Sequence, residues 1–129
     1  MSRTRILPGG DSGSAAVEFA LVAPLVLVLF AALVQIGMAG YVRTTLVAAA
    51  ADGARAGATN GAVDGTAKRR AQAALADSLA AGVVADISEF RDRQSGVEMV
   101  SVTIRARLPL IGLLGPEVMT VSGRALAES

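Results

Sequence analysis

The sequence contains no cysteine, no histidine and no tryptophan among its 129 residues. Without cysteine the chain can form no disulfide and has no thiol for covalent catalysis. Because cysteine and histidine are both absent, the chain lacks the commonest zinc, iron and copper ligands. The absence of histidine also means that it lacks the usual base of a catalytic triad. We therefore expect no metal, no cofactor and no enzyme activity.

Aromatic residues and excess charge are also scarce. Aromatics make up 3% of the chain and the formal net charge is +1, so neither base stacking nor a basic field favours nucleic acid as a partner. The only basic cluster is Lys68-Arg69-Arg70, with no aromatic residue beside it. Seven scattered carboxylates are expected to be solvated surface charges: Asp52, Asp64, Asp77, Asp86, Glu89, Asp92 and Glu98.

One long segment carries no charge at all. The 24 residues from Phe19 to Val42 include no Asp, Glu, Lys or Arg. At about 1.5 Å per residue, a helix of that length reaches roughly 36 Å and could cross a hydrocarbon core of about 30 Å. The run is longer than the apolar region of a cleaved secretory signal. A permanent membrane anchor over residues 14–42 is therefore favoured over a signal peptide or the buried helix of a soluble domain.

The residues that flank and interrupt this run suggest its orientation and shape. Arg3 and Arg5 precede it in a loop-like leader, Met1–Gly13, and favour a cytoplasmic N-terminus. Pro24 lies within the run and predicts a helix kink. Gly37 and Gly40 would let a second helix pack closely, although glycine is also simply common in membrane helices.

The rest of the chain, residues 43–129, has the pattern of a small α+β domain outside the membrane. The apolar helix should continue to Ala58, with Val42, Leu46, Ala49 and Gly53 on one apolar stripe. A second helix should run from an N-cap at Thr66 to Gly82. Gly53, Gly57, Gly61 and Gly65 recur every four residues without the signature of a phosphate-binding loop, and we assign that spacing to chance.

Alternation of apolar and polar residues then replaces the helical period. It is weak from Val83 to Ser88, clear from Val100 to Leu108, and clear again from Glu117 to Ala127, with an apolar loop at Ile111–Pro116 between the last two. These segments predict an antiparallel sheet of about three strands, which needs helices to cover one face.

Glu18 is the one carboxylate close to the apolar run, where a charge is costly. It could reach the lipid headgroups as an interfacial residue. Alternatively, it could pair with a positive group from another subunit. A cut after Gly13 would create such a group, the new amino terminus of Ser14.

The segment around Glu18 resembles a known processing site. Gly13 followed by Ser14-Ala15-Ala16-Val17-Glu18-Phe19 is similar to the type IV prepilin site, with glycine before the cut and glutamate at the fifth mature position. The fuller string from Ala16 to Leu25, together with Tyr41-Val42-Arg43 and residues 51–56, resembles the TadE-like minor pseudopilins of tight-adherence (Flp-type) pilus systems. Residues 100–109 and 121–125 are similar to the sheet region of that family.

The resemblance implies a function by assembly rather than catalysis. A prepilin peptidase would cut the Gly13–Ser14 bond at the cytoplasmic face, and Glu18 with Phe19 would contact other pilin or pseudopilin subunits. The chain would be a single-pass protein of the cytoplasmic membrane, in contact with lipid and with an inner-membrane assembly platform. It could also be incorporated in the pilus or in a type II secretion-related assembly. The alternative is an anchored, exported binding module unrelated to pili. TadF-like proteins share the N-terminal signature, and the short length argues against a TadG-like protein.

Overall fold

The computed structural model describes residues 10–108 and 117–128. Its elements are helix α1 (Gly10–Ala58), helix α2 (Thr66–Leu75), a short 3₁₀ helix (Leu79–Val83), and strands β1 (Val84–Gln94), β2 (Val97–Leu108) and β3 (Glu117–Leu126). The strands form one antiparallel sheet in the order β1-β2-β3. The predicted α+β class, with a long first helix, a second helix and a three-stranded sheet, is confirmed. The chain divides into two compact units, one ending at Ile36 and one beginning at Gly37.

The first unit contains the apolar half of α1, and its side chains are exposed all around the helix. An 18-residue window there has a mean hydropathy of 2.7 and is 0% buried. Phe19, Leu25 and Phe30 are each at least 65% exposed. The rest of the described chain does not cover this window as it would cover the core helix of a soluble domain, which favours the predicted anchor. Among the described residues, α1 is the one helix long and apolar enough to cross a membrane.

The start of α1 differs from the predicted leader. The helix begins at Gly10, so residues 10–13 are helical rather than loop-like. Extending a helix that is already nucleated costs less than starting one, because each added residue gains a hydrogen bond. Residues 1–9 of the leader lie outside the described part of the chain. The helix continues through Pro24, and the kink stays a prediction.

The second unit is built on the last part of α1, which packs against one face of the sheet. The predicted stripe is confirmed: Val42, Leu46 and Ala49 are at most 3% exposed, and Gly53 is buried with them. The sheet contributes Val100, Val102, Ile104, Ala106, Leu108 and Val121 to the same core. The helix backbone lies very close to Gly123 on β3, where an added Cβ would lie 2.5 Å from the backbone nitrogen of Ala51.

The glycine spacing that we assigned to chance has a structural cause at its first two positions. Gly53 and Gly57 lie on the face of α1 that meets α2. A Cβ at Gly53 would stand 2.6 Å from the carbonyl oxygen of Ala67, and a Cβ at Gly57 would stand 2.6 Å from the Ala67 Cβ. Only glycine lets the two helices approach this closely. Gly61 and Gly65 have φ values of 80° and 85° in the loop between the helices.

Both predicted ends of α2 are wrong. The N-cap is Gly65 rather than Thr66, and it offers no side chain to the helix. The helix ends at Leu75 rather than Gly82. There, the backbone amide and the hydroxyl of Ser78 both donate to the carbonyl oxygen of Leu75, each at 2.9 Å, and Ser78 itself is extended. A serine that bonds the backbone locally competes with helix continuation.

The sheet confirms the alternation predicted for its two later strands. Along β2 the inward residues from Val100 to Leu108 are buried and the intervening ones are more exposed. The first strand is longer than predicted and continues to Gln94. It joins β2 through Ser95 and Gly96, whose φ values of 54° and 84° fit a two-residue hairpin turn. The predicted loop at residues 111–116 lies outside the described residues.

Candidate assembly helix and the cluster that supports it

The predicted processing site lies near the beginning of α1. Gly13 and Ser14 are both helical and exposed. A Cβ built at Gly13 meets nothing within 4 Å, so no packing inside the chain requires glycine there. The first turn of a helix lacks four internal acceptors for its N–H groups and opens at low cost. The Gly13–Ser14 bond lies at the end of this first turn.

Glu18 follows Ser14 by four residues, so the two lie on the same face of α1, about 6 Å apart along its axis. Glu18 is exposed, and Phe19 beside it is 74% exposed. None of the ion pairs among the described residues involves Glu18. The geometry places the carboxylate and the first residue after the predicted cut on one surface, which is open to another molecule.

Pro24, Gly37 and Gly40 are also exposed. A Cβ at either glycine meets nothing within 4 Å, in contrast to Gly53 and Gly57 farther along the same helix. The two pairs of glycines therefore differ in role. The later pair is needed by the fold of this chain, whereas the earlier pair leaves a shallow strip on α1 that no part of the described chain occupies.

A charged cluster at the far end of α1 holds that helix, α2 and β1 together. Its centre is Arg91 on β1. The Arg91 Nη2 donates to the carbonyl oxygen of Gly57 at 3.2 Å and to that of Val63 at 3.5 Å. Its Nε lies 3.0 Å from Asp64 Oδ1 and 3.4 Å from Glu89 Oε1. The Arg91 side chain is 23% exposed and that of Glu89 is 10% exposed.

Glu89 performs the complementary task for α2. Its Oε2 accepts a hydrogen bond of 3.1 Å from the backbone amide of Lys68, which is the third residue of α2. Glu89 thus supplies the N-terminal cap that Gly65 cannot provide. An anion at a helix N-terminus and a cation at a helix C-terminus are both favourable with the helix dipole. Two residues on one strand therefore secure the end of α1 and the start of α2.

The cluster also corrects the expectation that Glu89 is a solvated surface charge. Its Oε1 and the Nε of Arg91 are buried without a hydrogen bond of good geometry among the described residues, so the 3.4 Å between them is a charge contact. At the same end of α1, the backbone amide of Glu128 donates a hydrogen bond of 2.9 Å to the carbonyl oxygen of Ala58. The charged cluster therefore stabilises the packing of α1, α2 and β1.

The described residues offer little for catalysis. No group of three His, Cys, Asp or Glu side chains among them could hold a metal ion. A groove of about 610 Å³ runs between β1 and the start of α2, and it is lined by the same Asp64, Glu89 and Arg91 that stabilise the fold. The exposed apolar surface of α1, by contrast, packs against no other part of the described chain.

Comparison with known protein families agrees with this geometry. Residues 13–55 match the family model of TadE-like proteins. The resemblance found in the sequence is confirmed over this segment. The match begins at Gly13 and ends within the part of α1 that packs on the sheet, so the TadE-like segment lies entirely within α1. No curated protein and no solved structure matches the chain.

The TadE-like match carries a general functional meaning. It suggests a component associated with a tight-adherence pilus, a structural family rather than an enzymatic one, that interacts with other pilus components. The exposed apolar helix is consistent with membrane anchoring of such a component.

Proposed function

We propose that the chain is a membrane-anchored minor pseudopilin-like component of a tight-adherence (Flp-type) pilus or a related type II secretion assembly, acting by helix packing rather than catalysis. One observation carries the proposal: the TadE-like match begins at Gly13, on a helix whose apolar window is 0% buried by the rest of the chain. In this proposal residues 1–13 are a cytoplasmic leader, residues 14–42 the membrane helix, and residues 43–129 a domain outside the cytoplasmic membrane. Its partners are a prepilin peptidase, other pilin-like subunits, the assembly platform and lipid.

The first proposed event is removal of the leader by cleavage between Gly13 and Ser14. Gly10 and Gly13 both lie in the first helical turn, and each is about 1 kcal/mol less favourable in a helix than alanine. They lower the cost of unwinding the turn on the peptidase. Cleavage leaves Ser14 as the first residue of a helix that otherwise stays intact.

The second proposed event is pairing between the new amino terminus and Glu18 of an adjacent subunit. Both groups lie at one end of the apolar helix, where low dielectric strengthens attraction between unlike charges. Each subunit would present an amine and a carboxylate one turn apart, so a neighbour shifted along the helix axis by about one turn places unlike charges together. Pro24 and the open strip at Gly37 and Gly40 would shape the contacts between the helices.

Mass spectrometry of the protein extracted from membranes tests the cleavage. In cells containing the cognate prepilin peptidase, the mature chain should begin at Ser14. Gly13→Leu should block cleavage, and Gly10→Leu is the matched control that should be cut normally. Because a Cβ at Gly13 meets nothing within 4 Å, loss of cleavage would report recognition by the peptidase rather than misfolding.

Two outcomes would contradict this part of the proposal. An intact Met1 to Gly13 on wild-type protein in peptidase-containing cells would remove the processing step. Normal cleavage of Gly13→Leu would show that the site is elsewhere. Glu18→Leu should be cut like wild type, because the proposed role of Glu18 comes after cleavage.

A further inference from the structure

Strand β1 forms one edge of the sheet, so the backbone groups along its outer side have no strand to pair with. Among the described residues, no backbone hydrogen bond joins β1 to any element except β2. Helix α2 does not close this side, because the groove lined by Lys68 and by residues 86–91 separates the two elements. The outer side of β1 is therefore open to a further strand.

The opposite edge of the sheet, β3, is less suited to pairing with a second copy of the chain. The backbone of α1 lies against Gly123, so the helix sits over β3 itself. Paired strands are about 4.8 Å apart, whereas packed helices need about 8–10 Å between their axes. Two copies joined through β3 at Gly123 would bring their α1 helices too close together. Of the two edges, β1 is the one that a second copy can reach.

The edge of β1 carries an exposed aromatic side chain. Phe90 lies on the sheet face opposite to Glu89 and Arg91, whose side chains bind α2 and α1, and it is 60% exposed. When two copies of one strand pair antiparallel, every residue faces the residue that is symmetric to it about the centre of the pair. With Phe90 at the centre, the two Phe90 rings meet at the twofold axis, and aromatic rings in contact attract each other.

The charges along β1 favour this register over its neighbours. Centred on Phe90, the pairing places Glu89 opposite Arg91 of the second copy, twice, and places no like charges opposite each other. Centred on Glu89, it would place Asp86 opposite Asp92. Centred on Arg91, it would place the two Arg91 side chains opposite each other. The register centred one residue before Glu89 would gain no charge pair.

Helix α2 leaves room for the register centred on Phe90. Near its start, the backbone amide of Lys68 is bound to Glu89, and at its other end Leu75 lines a groove together with Val84. The helix therefore runs away from Phe90, beside the earlier half of β1. In a symmetric pair the two α2 helices lie on opposite sides of the axis, and each borders the later half of the other copy's β1.

We propose that β1 pairs with β1 of a second copy of this chain, antiparallel and centred on Phe90, so that three strands from each copy form one continuous sheet. The pairing extends from Asp86 to Gln94, about 26 Å of strand. One strand pair buries less than the roughly 800 Å² per partner of a standard stable interface, so the contact is weak and favours chains already held side by side. It requires neither cleavage after Gly13 nor pairing of Glu18.

Disulfide cross-linking of the full chain in detergent micelles tests the proposed register. The sequence has no cysteine, so each variant contains only the thiol that is introduced. Phe90→Cys places two thiols directly opposite each other, with Cα atoms about 5 Å apart, a distance that a disulfide spans. Ser88→Cys is the matched control on the same face of β1, because its two copies would lie about 13 Å apart along the strands. Ser122→Cys, exposed on β3, measures random collision.

We expect mild oxidation to link Phe90→Cys about 10-fold faster than Ser88→Cys or Ser122→Cys. A mixture of Ser88→Cys with Asp92→Cys keeps the Phe90 rings and places its two different thiols opposite each other. The mixture should therefore be linked about 10-fold faster than either variant alone. Linking of Phe90→Cys no faster than Ser122→Cys would overturn the proposal. A mixture linked no faster than its components would overturn the register.

Phe90→Glu, added to both members of that mixture, tests the contact at the axis. It places two like charges opposite each other, so cross-linking should fall about 10-fold. Because Phe90 is 60% exposed, the fold of each chain should be unchanged, and hydrogen exchange at the amides of β2 measures this. Undiminished cross-linking of the Phe90→Glu mixture, with unchanged exchange, would contradict pairing about Phe90.

Discussion

Gly123 gives the sharpest test of how α1 is held on the sheet. In the variant Gly123→Ala, the new Cβ would lie 2.5 Å from the backbone nitrogen of Ala51 and 2.6 Å from the carbonyl oxygen of Ala50. Ordinary contacts of a Cβ begin near 3.4 Å. Because the obstacles are backbone atoms of a helix, they cannot turn away as a side chain could. The helix must retreat from the sheet by about 1 Å and loosen its contacts along the core.

The expected cost follows from two opposing effects. Overpacking a core costs about 1–3 kcal/mol, and a rigid obstacle places this site near the upper value. Replacing glycine by alanine also restricts the unfolded chain, which stabilises by about 0.4–1 kcal/mol. The net loss is about 2 kcal/mol, a factor of roughly 30 in the folded-to-unfolded ratio.

Hydrogen exchange of the full chain in detergent micelles measures this loss at the amides of β2, which lies between the other two strands. Gly82→Ala is the matched control, since a Cβ there meets nothing within 4 Å and the backbone has no positive φ. We expect roughly 30-fold faster exchange in β2 for Gly123→Ala and unchanged or slower exchange for the control. Protection in Gly123→Ala equal to or above wild type would refute the close approach of α1 and β3.

Two further predictions concern β1 and its turn. Arg91→Leu should destabilise the domain by about 2 kcal/mol, because Glu89 loses its buried cation and the carbonyl oxygen of Gly57 loses a charged donor. The Arg93 side chain is 74% exposed, so the control variant Arg93→Leu should change stability by less than about 0.5 kcal/mol in the same exchange experiment. Equal effects of the two variants would remove the proposed role of Arg91. Ser95→Asn should stabilise the hairpin by a few tenths of a kcal/mol to about 1 kcal/mol, since asparagine tolerates the φ of 54° better than serine and Asn-Gly favours this turn. Chemical denaturation midpoints measure that change, and a lower midpoint would contradict the turn geometry.

The parts of the fold that could be predicted from sequence are those with a regular period. Alternation along β2 and β3 identified their inward residues, and the spacing of Val42, Leu46 and Ala49 identified the packed stripe of α1. In each case burial of one face dictates the pattern directly. The membrane-capable helix was likewise apparent from its length and lack of charge.

The misjudged features depend on partners that are distant in sequence. Glu89 and Arg91 look like ordinary surface charges until the fold brings Lys68 and Gly57 beside them. Gly53 and Gly57 resemble a flexible linker unless Ala67 is known to lie against them. Leu79 extends the apolar spacing of α2, yet it is exposed because the helix has already ended at Leu75. A local pattern cannot reveal such contacts.

The candidate assembly residues were found through their sequence motif rather than through packing. Gly13, Glu18, Gly37 and Gly40 are exposed, and neither the domain core nor the charged cluster includes them. Stability of this chain therefore gives no physical account of them. Their proposed role lies in contacts with other subunits, which only an assembly experiment can examine.

Pilus assembly in cells tests the central claim most directly. A strain lacking this gene should produce no assembled tight-adherence pili, and the wild-type gene should restore them. Glu18→Leu should be made, inserted and cut after Gly13 like wild type, yet fail to restore assembly. Normal pili in the deletion strain would contradict a role in the pilus and favour an anchored binding module, whereas full rescue by Glu18→Leu would contradict the pairing of Glu18 with a neighbouring amino terminus.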